Sequence, residues 1–418
     1  MSLQLAPDPS LEASETSPQP APAWDRDAIL AGVPPLAAAI AEGAAQREAR
    51  RELPFEAFQL VRRSGIGTLR IGREQGGPGG SLEDVLGVIA TLAAADSNVA
   101  HALRSHFNTT ELLRLSPPTA QSRRQVEQVL GGALFGGAFT ELGTARPGLS
   151  TSTLTRDGEH YRLDGRKYYA TGTAYADYAG IFAVDENGEG VTAVIPVSRQ
   201  GVRVLDDWDG MGQRLTASGG LELDHVRVFA EEITPIHRDQ LPGRHASALR
   251  QLILVATAAG IVRNVLSDAV HYVRHHGRTA LHSPAETARE DHFIQAVVGE
   301  LSAASFAIDT LVAESARVLD RGALAIERRD VDAEQVVLQG ALTTAKTQLV
   351  VSKLALTAAE RLFEVGGASA TSRAHNLDRH WRNLRTIFSH NPLGHKARIL
   401  GDHDLNGATR HLEEGRVF

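Results

Sequence analysis

Imidazole is the one side chain whose ordinary pKa lets it both hold and release a proton near neutral pH. Of the 17 histidines in this chain, most read as surface or capping residues. Three are candidates for chemistry. His101 and His106 lie in the run Asp96-Ser97-Asn98-Val99-Ala100-His101-Ala102-Leu103-Arg104-Ser105-His106, and His390 lies in Ser389-His390-Asn391-Pro392. His271 and His275 stand one helical turn apart, as metal ligands can. No glutamate or third ligand accompanies them, so they read as a solvated helix face and no metal is expected. Cysteine is absent, which excludes disulfides, thiolate nucleophiles and Cys-ligated metal clusters. The run Gly76-Gly77-Pro78-Gly79-Gly80 lacks the following Lys-Ser/Thr and the preceding strand of a phosphate loop. With no dinucleotide fingerprint either, a built-in NAD(P)H site is not expected.

These residues must be positioned by a chain of 418 residues, 42% hydrophobic and of net charge -7. That length can bury a large core, and the charge leaves no basic footprint for nucleic acid. Residues 1–23 mix Pro, Ser and acidic residues and read as a disordered tail. Residues 24–131 carry apolar positions at helical spacing, with Ser81 as a helix start. Residues 132–242 turn to short Val-, Ile-, Thr- and Tyr-rich runs. There Tyr161-Arg162-Leu163, Asp164-Gly165 and Arg166-Lys167-Tyr168-Tyr169 read as strand, tight turn, strand, and Asp185-Glu186-Asn187-Gly188 reads as a second turn. Residues 243–418 return to helical patterns, at Ala246 to His276, Ala285 to Leu319, Ala333 to Val365 and from Leu393 onward. No apolar run reaches the roughly 20 residues that a bilayer span needs. The fold class is therefore α+β: an N-terminal helical domain, a central β domain and a C-terminal helical bundle, expected in the cytoplasm.

That order, together with local motifs, resembles the acyl-CoA dehydrogenase superfamily. Phe139-Thr140-Glu141 resembles its flavin-contacting strand, and Gly165-Arg166-Lys167-Tyr168-Tyr169-Ala170-Thr171 its Gly-x-Lys-x-aromatic-x-Thr/Ser signature. Asp206-Asp207-Trp208-Asp209-Gly210-Met211-Gly212-Gln213-Arg214, with Thr216-Ala217-Ser218-Gly219, is similar to the dibenzothiophene monooxygenase and sulfur-acquisition branch. So is His375-Asn376-Leu377-Asp378-Arg379-His380-Trp381-Arg382-Asn383-Leu384-Arg385-Thr386, which continues into His390-Asn391-Pro392. Where dehydrogenases commonly carry a catalytic glutamate, Ile387 to Pro392 holds no carboxylate.

The resemblance implies a two-component monooxygenase that oxidises a small organosulfur or related compound through a flavin C4a-peroxide. Its cofactor would be reduced FMN (FMNH2), or FAD, delivered by a separate NAD(P)H flavin reductase. Oxygen and a small molecule would be the substrates and a homotetramer the assembly, with no nucleic acid and no membrane. It implies Thr171, His101 and His390 as catalytic residues and Ser105 and His106 as substrate contacts, although the branch can carry tyrosine where Ser105 stands. Phe139, Thr140, Thr171, Trp208, Arg278 and Ser369 would contact the flavin. Read by themselves, Thr171 is a hairpin threonine, Trp208 a core residue, Arg278 a helix-terminal charge and Gly366-Gly367 a helix cap. A flavin-dependent N-hydroxylase and an FAD-dependent acyl-CoA dehydrogenase are the alternatives.

Overall fold

Ser81 opens the helix Leu82–Ala95, as the sequence predicts: its hydroxyl accepts from the Asp84 N–H at 3.0 Å and the Asp84 carboxylate accepts from the Ser81 N–H at 2.8 Å. This reciprocal cap satisfies two otherwise unpaired donors. The computed structural model describes residues 3–4, 24–146, 148–236 and 240–410. Within the amino-terminal tail, Leu3–Gln4 pairs antiparallel with Leu205 and Asp206; the expectation of disorder for the rest falls outside the described residues. After the tail, helices run from Arg26–Ala41 to Ala120–Leu130, strands from Phe135–Ala138 to Ile233–Pro235, and helices again from Leu241–His275 to Leu393–Asn406.

The two helical parts share one apolar core, which joins Ile89 and Leu92 to Leu252 and Val255. Gly260 lets them touch, because a Cβ there would collide with the Ala90 carbonyl. A buried polar cluster adds direction to this contact. Glu111, in the helix Arg104–Leu115, pairs with Arg70 and accepts from His245 Nε2 at 2.8 Å. Burial would raise the Glu111 pKa, but Arg70 and His245 hold it well below the usual carboxylate range. The cluster ties the helix that begins at Arg104 to the bundle.

The strands form one nine-stranded sheet among the described residues, largely antiparallel, with Phe135–Ala138 and Thr153–Asp157 running parallel to Tyr178–Asp185. A second core fills it, around Leu163, Ile181 and Ile195. Asp164-Gly165 is not the expected turn. His160–Lys167 is one continuous strand along Leu221–Val228, and its register shifts between Leu163 and Gly165. An Asp-Gly pair suits a β-bulge as well as a turn, and here the Asp164 carboxylate accepts from the His225 N–H of the partner strand at 2.8 Å. Asp185 to Gly188 does turn the chain, with Gly188 at φ 81°.

Helix ends also differ from their periodicity. The long helices are Leu241–His275, His292–Arg328 and Ala333–Arg361. The second starts at a cap that periodicity does not show: Asp291 accepts from the Phe293 and Ile294 N–H groups at 2.9 and 3.3 Å. By length and composition, Leu241–His275 and His292–Arg328 could each cross a bilayer. That corrects the expectation that no segment is long enough. The apolar stretch of the first is 67% buried in the fold, against 22% for the second.

Candidate functional site

The two long motif blocks, far apart in sequence, meet face to face. The loop carrying Met211 and Gly212 lies on the helix Asp378–Phe388, so closely that a Cβ on Gly212 would strike the Arg382 carbonyl. The Gln213 N–H donates to Asn383 Oδ1 at 2.7 Å, and Arg382 Nη1 donates to the Met211 carbonyl at 3.0 Å. A third element closes the contact. Asn98, in the helix Ser97–Ala102, accepts from the Leu215 N–H at 3.0 Å.

Gln213, which the sequence does not single out, is the hub. It is buried in a left-handed conformation, φ 51°. Its Nε2 donates to Ser97 Oγ at 3.0 Å, and its Oε1 lies 3.1 Å from His101 Nδ1. Since Oε1 can only accept, Nδ1 carries the His101 proton and Nε2 keeps its lone pair. That Nε2 is buried and has no partner among the described residues. Burial, and then the Arg104 charge, lower the His101 pKa to about 4. His101 is therefore a neutral acceptor at pH 7, not the proton donor expected from imidazole in general.

The Gln213 carbonyl also accepts from Trp208 Nε1 at 2.9 Å and from Thr216 Oγ1 at 2.8 Å. Thr216 Oγ1 lies 2.6 Å from Ser218 Oγ, which lies 2.7 Å from Thr171 Oγ1. Each hydroxyl has one proton, and that of Thr216 is already committed. The donations then run Thr171 to Ser218 to Thr216 to Gln213, and Thr171 Oγ1 keeps its lone pairs. Thr171 sits past the end of its strand, in a turn whose Gly172 abuts the Ala102 carbonyl, one residue from His101.

His390 joins the same centre. Arg104 Nη1 donates to its Nε2 at 3.2 Å, and its Nδ1–H donates to Asn391 Oδ1 at 3.1 Å. The ring is solvent-accessible, yet protein crowds it. Burial, Arg104 and His101 together hold its pKa well below that of free imidazole. Arg104 Nε donates to the Arg250 carbonyl at 2.9 Å. Lys396 is buried close by, its pKa lowered to about 7 by burial and by Arg104. Arg104 stands within the histidine run, but neither it nor Lys396 had a spacing signal to mark it.

Ser105 lies beside Gly137, next to the ring of Phe139, which is 42% exposed. The Thr140 carbonyl accepts from the Tyr168 N–H at 2.8 Å, and Trp208 meets Tyr169 edge-on at 6.0 Å. His106 has a different task from the expected substrate contact. Its Nε2–H donates to the Gly67 carbonyl at 2.8 Å and its Nδ1 accepts from the Phe135 N–H at 3.2 Å. Both nitrogens are spent on backbone, and the ring is buried. Arg278 and Ser369 are exposed, and among the described residues neither contacts the His101 centre. They share one end of the bundle around Tyr272, whose ring abuts Gly366 and whose carbonyl accepts from the Gly277 N–H.

Residues 138–226 match the family model for the acyl-CoA dehydrogenase middle domain, and residues 252–394 that for its C-terminal domain. The chain belongs to the acyl-CoA dehydrogenase superfamily. Its place is in the flavin-dependent monooxygenase branch, which makes it an oxidoreductase. It is 31% identical over 399 residues to the probable FMNH2-dependent monooxygenase SfnC of Pseudomonas putida, spanning 94% of this chain and 96% of that protein. Its fold matches TdsC of Paenibacillus sp. A11-2, solved with FMN and indole, at TM-score 0.83 and 30% identity, over 91% of this chain and 97% of that one. It matches methanesulfinate monooxygenase MsuC of Pseudomonas fluorescens at TM-score 0.82 and 29% identity, with the same coverage.

Proposed function

We propose that this chain takes reduced FMN from a separate NAD(P)H-dependent flavin reductase and uses it with oxygen to oxidise a small organosulfur compound. The observation that carries this reading is the pair of free acceptors, Thr171 Oγ1 and the buried His101 Nε2. A reduced flavin ring presents N–H donors that such acceptors can satisfy; a buried acceptor left unmet costs about 1–3 kcal/mol. Bound FMN supplies the electrons and the oxygen chemistry. The chain's residues orient it: Gln213 fixes the His101 tautomer, the hydroxyl chain fixes Thr171, and Trp208, Phe139 and Thr140 form walls. Ile387 to Pro392 offers no carboxylate to take a substrate proton, which disfavours the dehydrogenase alternative.

The assembly is a cytoplasmic homotetramer in this reading, and Arg278 and Ser369 reach the FMN phosphate of a neighbouring subunit. The test is oxygen uptake with NADH, a generic flavin reductase, FMN and a panel of organosulfur compounds, with products identified by mass spectrometry. Substrate-dependent uptake that requires the reductase is expected. Direct reduction of the isolated protein by NADH at a useful rate, or bleaching of bound flavin by an acyl-CoA, overturns the reading.

A further inference from the structure

Arg104, Arg250 and Lys396 bring three cationic side chains to the His101–His390 centre. Arg104 is the decisive one. Its Nε is bonded to a backbone carbonyl and its Nη1 to the neutral His390 ring, and neither partner carries a negative charge. Arg70, Arg62 and Arg382, by contrast, each meet a carboxylate, that of Glu111, Asp177 and Glu48 respectively. Arg104 has no acidic partner among the described residues. Burial and Arg250 lower its pKa to about 9. Enclosing a guanidinium beside other cations is costly unless something anionic offsets it. The guanidinium is also at the open rim, since its Nη1 and His390 Nε2 meet where solvent reaches them.

We infer that this centre selects an anionic substrate, a small sulfur oxyanion of the sulfinate type whose head group binds Arg104, with Arg250 and Lys396 supplying the surrounding positive field. Arg104 is then the specificity-determining residue. A guanidinium suits this head group because its fork can donate to two oxygens of one anion. An amine-bearing substrate would be repelled. The sulfur identity rests on the function proposed above, whereas the charge preference rests on the geometry. For a sulfinate the reaction balances: one oxygen atom of O2 forms the new S–O bond and the other leaves as water. Sulfur gives up two electrons and reduced FMN two, so RSO2⁻ becomes RSO3⁻.

Calorimetric titration of the FMN-loaded protein with methanesulfinate, and with neutral dimethyl sulfone as a size control, tests the inference without turnover. The wild type is expected to bind the anion at least about tenfold more tightly, because one charge-assisted bond is worth that much. Arg104→Gln should weaken methanesulfinate by about ten- to hundredfold while FMN affinity stays within about twofold. Arg104→Lys should recover part of the loss. Equal wild-type affinity for the two probes overturns the inference, even if Arg104→Gln fails to fold. So does a folded Arg104→Gln that keeps anion affinity, or one that loses FMN in step, which would make the cluster a phosphate site. Anion binding without oxidation of any organosulfur compound would instead overturn the proposed function, and the sulfur identity with it, and leave the charge preference at Arg104 standing.

Discussion

At pH 7 His101 and His390 are both neutral, because burial and the Arg104 charge lower their pKa values. Neutral imidazole positions and accepts more readily than it donates a proton, and in His390 the Nδ1–H is already given to Asn391. His390→Ala should therefore release Arg104 and let oxygen reduction run ahead of substrate oxidation. Oxygen consumption would continue, hydrogen peroxide would accumulate, and coupled product formation would fall about ten- to hundredfold, the value of one charge-assisted bond. A direct proton-transfer role would cost more, roughly 10²- to 10⁴-fold. An oxygen electrode and product chromatography measure both quantities. Full, coupled turnover in the variant would remove His390 from the mechanism. Lys396, with its pKa near 7, changes charge in the range where the histidines do not.

The helix His292–Arg328 has two faces. Val297, Leu301 and Ile308 point into the core, while Phe293 is 86% and Phe306 75% exposed, with Ala296 and Ala303 between them at helical spacing. A stripe of that kind leaves apolar area in water unless another surface covers it, which is why the helix supports the proposed homotetramer. Burying a phenylalanine is worth about 2 kcal/mol. Phe293→Asp with Phe306→Asp should thus shift the protein to smaller species in light scattering and, on the proposed assembly in which Arg278 serves a neighbouring subunit, weaken FMN binding. An unchanged mass would show that the stripe is not the contact. The Asp164-Gly165 bulge teaches the same lesson in the sheet: local chemistry allowed a turn or a bulge, and the neighbouring strand decided.

Across the whole molecule, three fully enclosed rings, His101, His106 and His380, have pKa values lowered to about 4, in each case by burial first. The unfolded chain protonates these rings near pH 6.5, whereas the folded chain does not until about pH 4. Protons therefore favour the unfolded state, and stability must fall as pH drops from 6.5 towards 4. Each ring costs about 2 kcal/mol between pH 7 and pH 5. Three together approach the 5–15 kcal/mol of a typical domain. Carboxylate-driven loss starts lower. Asp268, brought to about 2 by His380 and Arg379 against the effect of burial, loses its contribution only as pH falls below about 4. Urea midpoints at pH 7, 6 and 5 should decline steeply, and a constant midpoint would contradict the burial of these rings.

The order of helices, strands and helices was legible in the sequence, because periodicity, the Ser81 cap and turn residues act locally. That His101, Thr171, Trp208 and His390 are candidates was legible too, since their types and motif context mark them, and the fold brings them to one centre. What they do was not. The tautomer of His101 depends on Gln213, the direction of the hydroxyl chain on Thr216 and Ser218, and the charge around the two histidines on Arg104 and Lys396 arriving from separate helices. His106, expected as a substrate contact, has both ring nitrogens bonded to backbone, because Gly67 and Phe135 approach it from other segments. Composition and spacing act over a few residues, whereas pKa, tautomer and local charge are set by groups that only folding brings within reach.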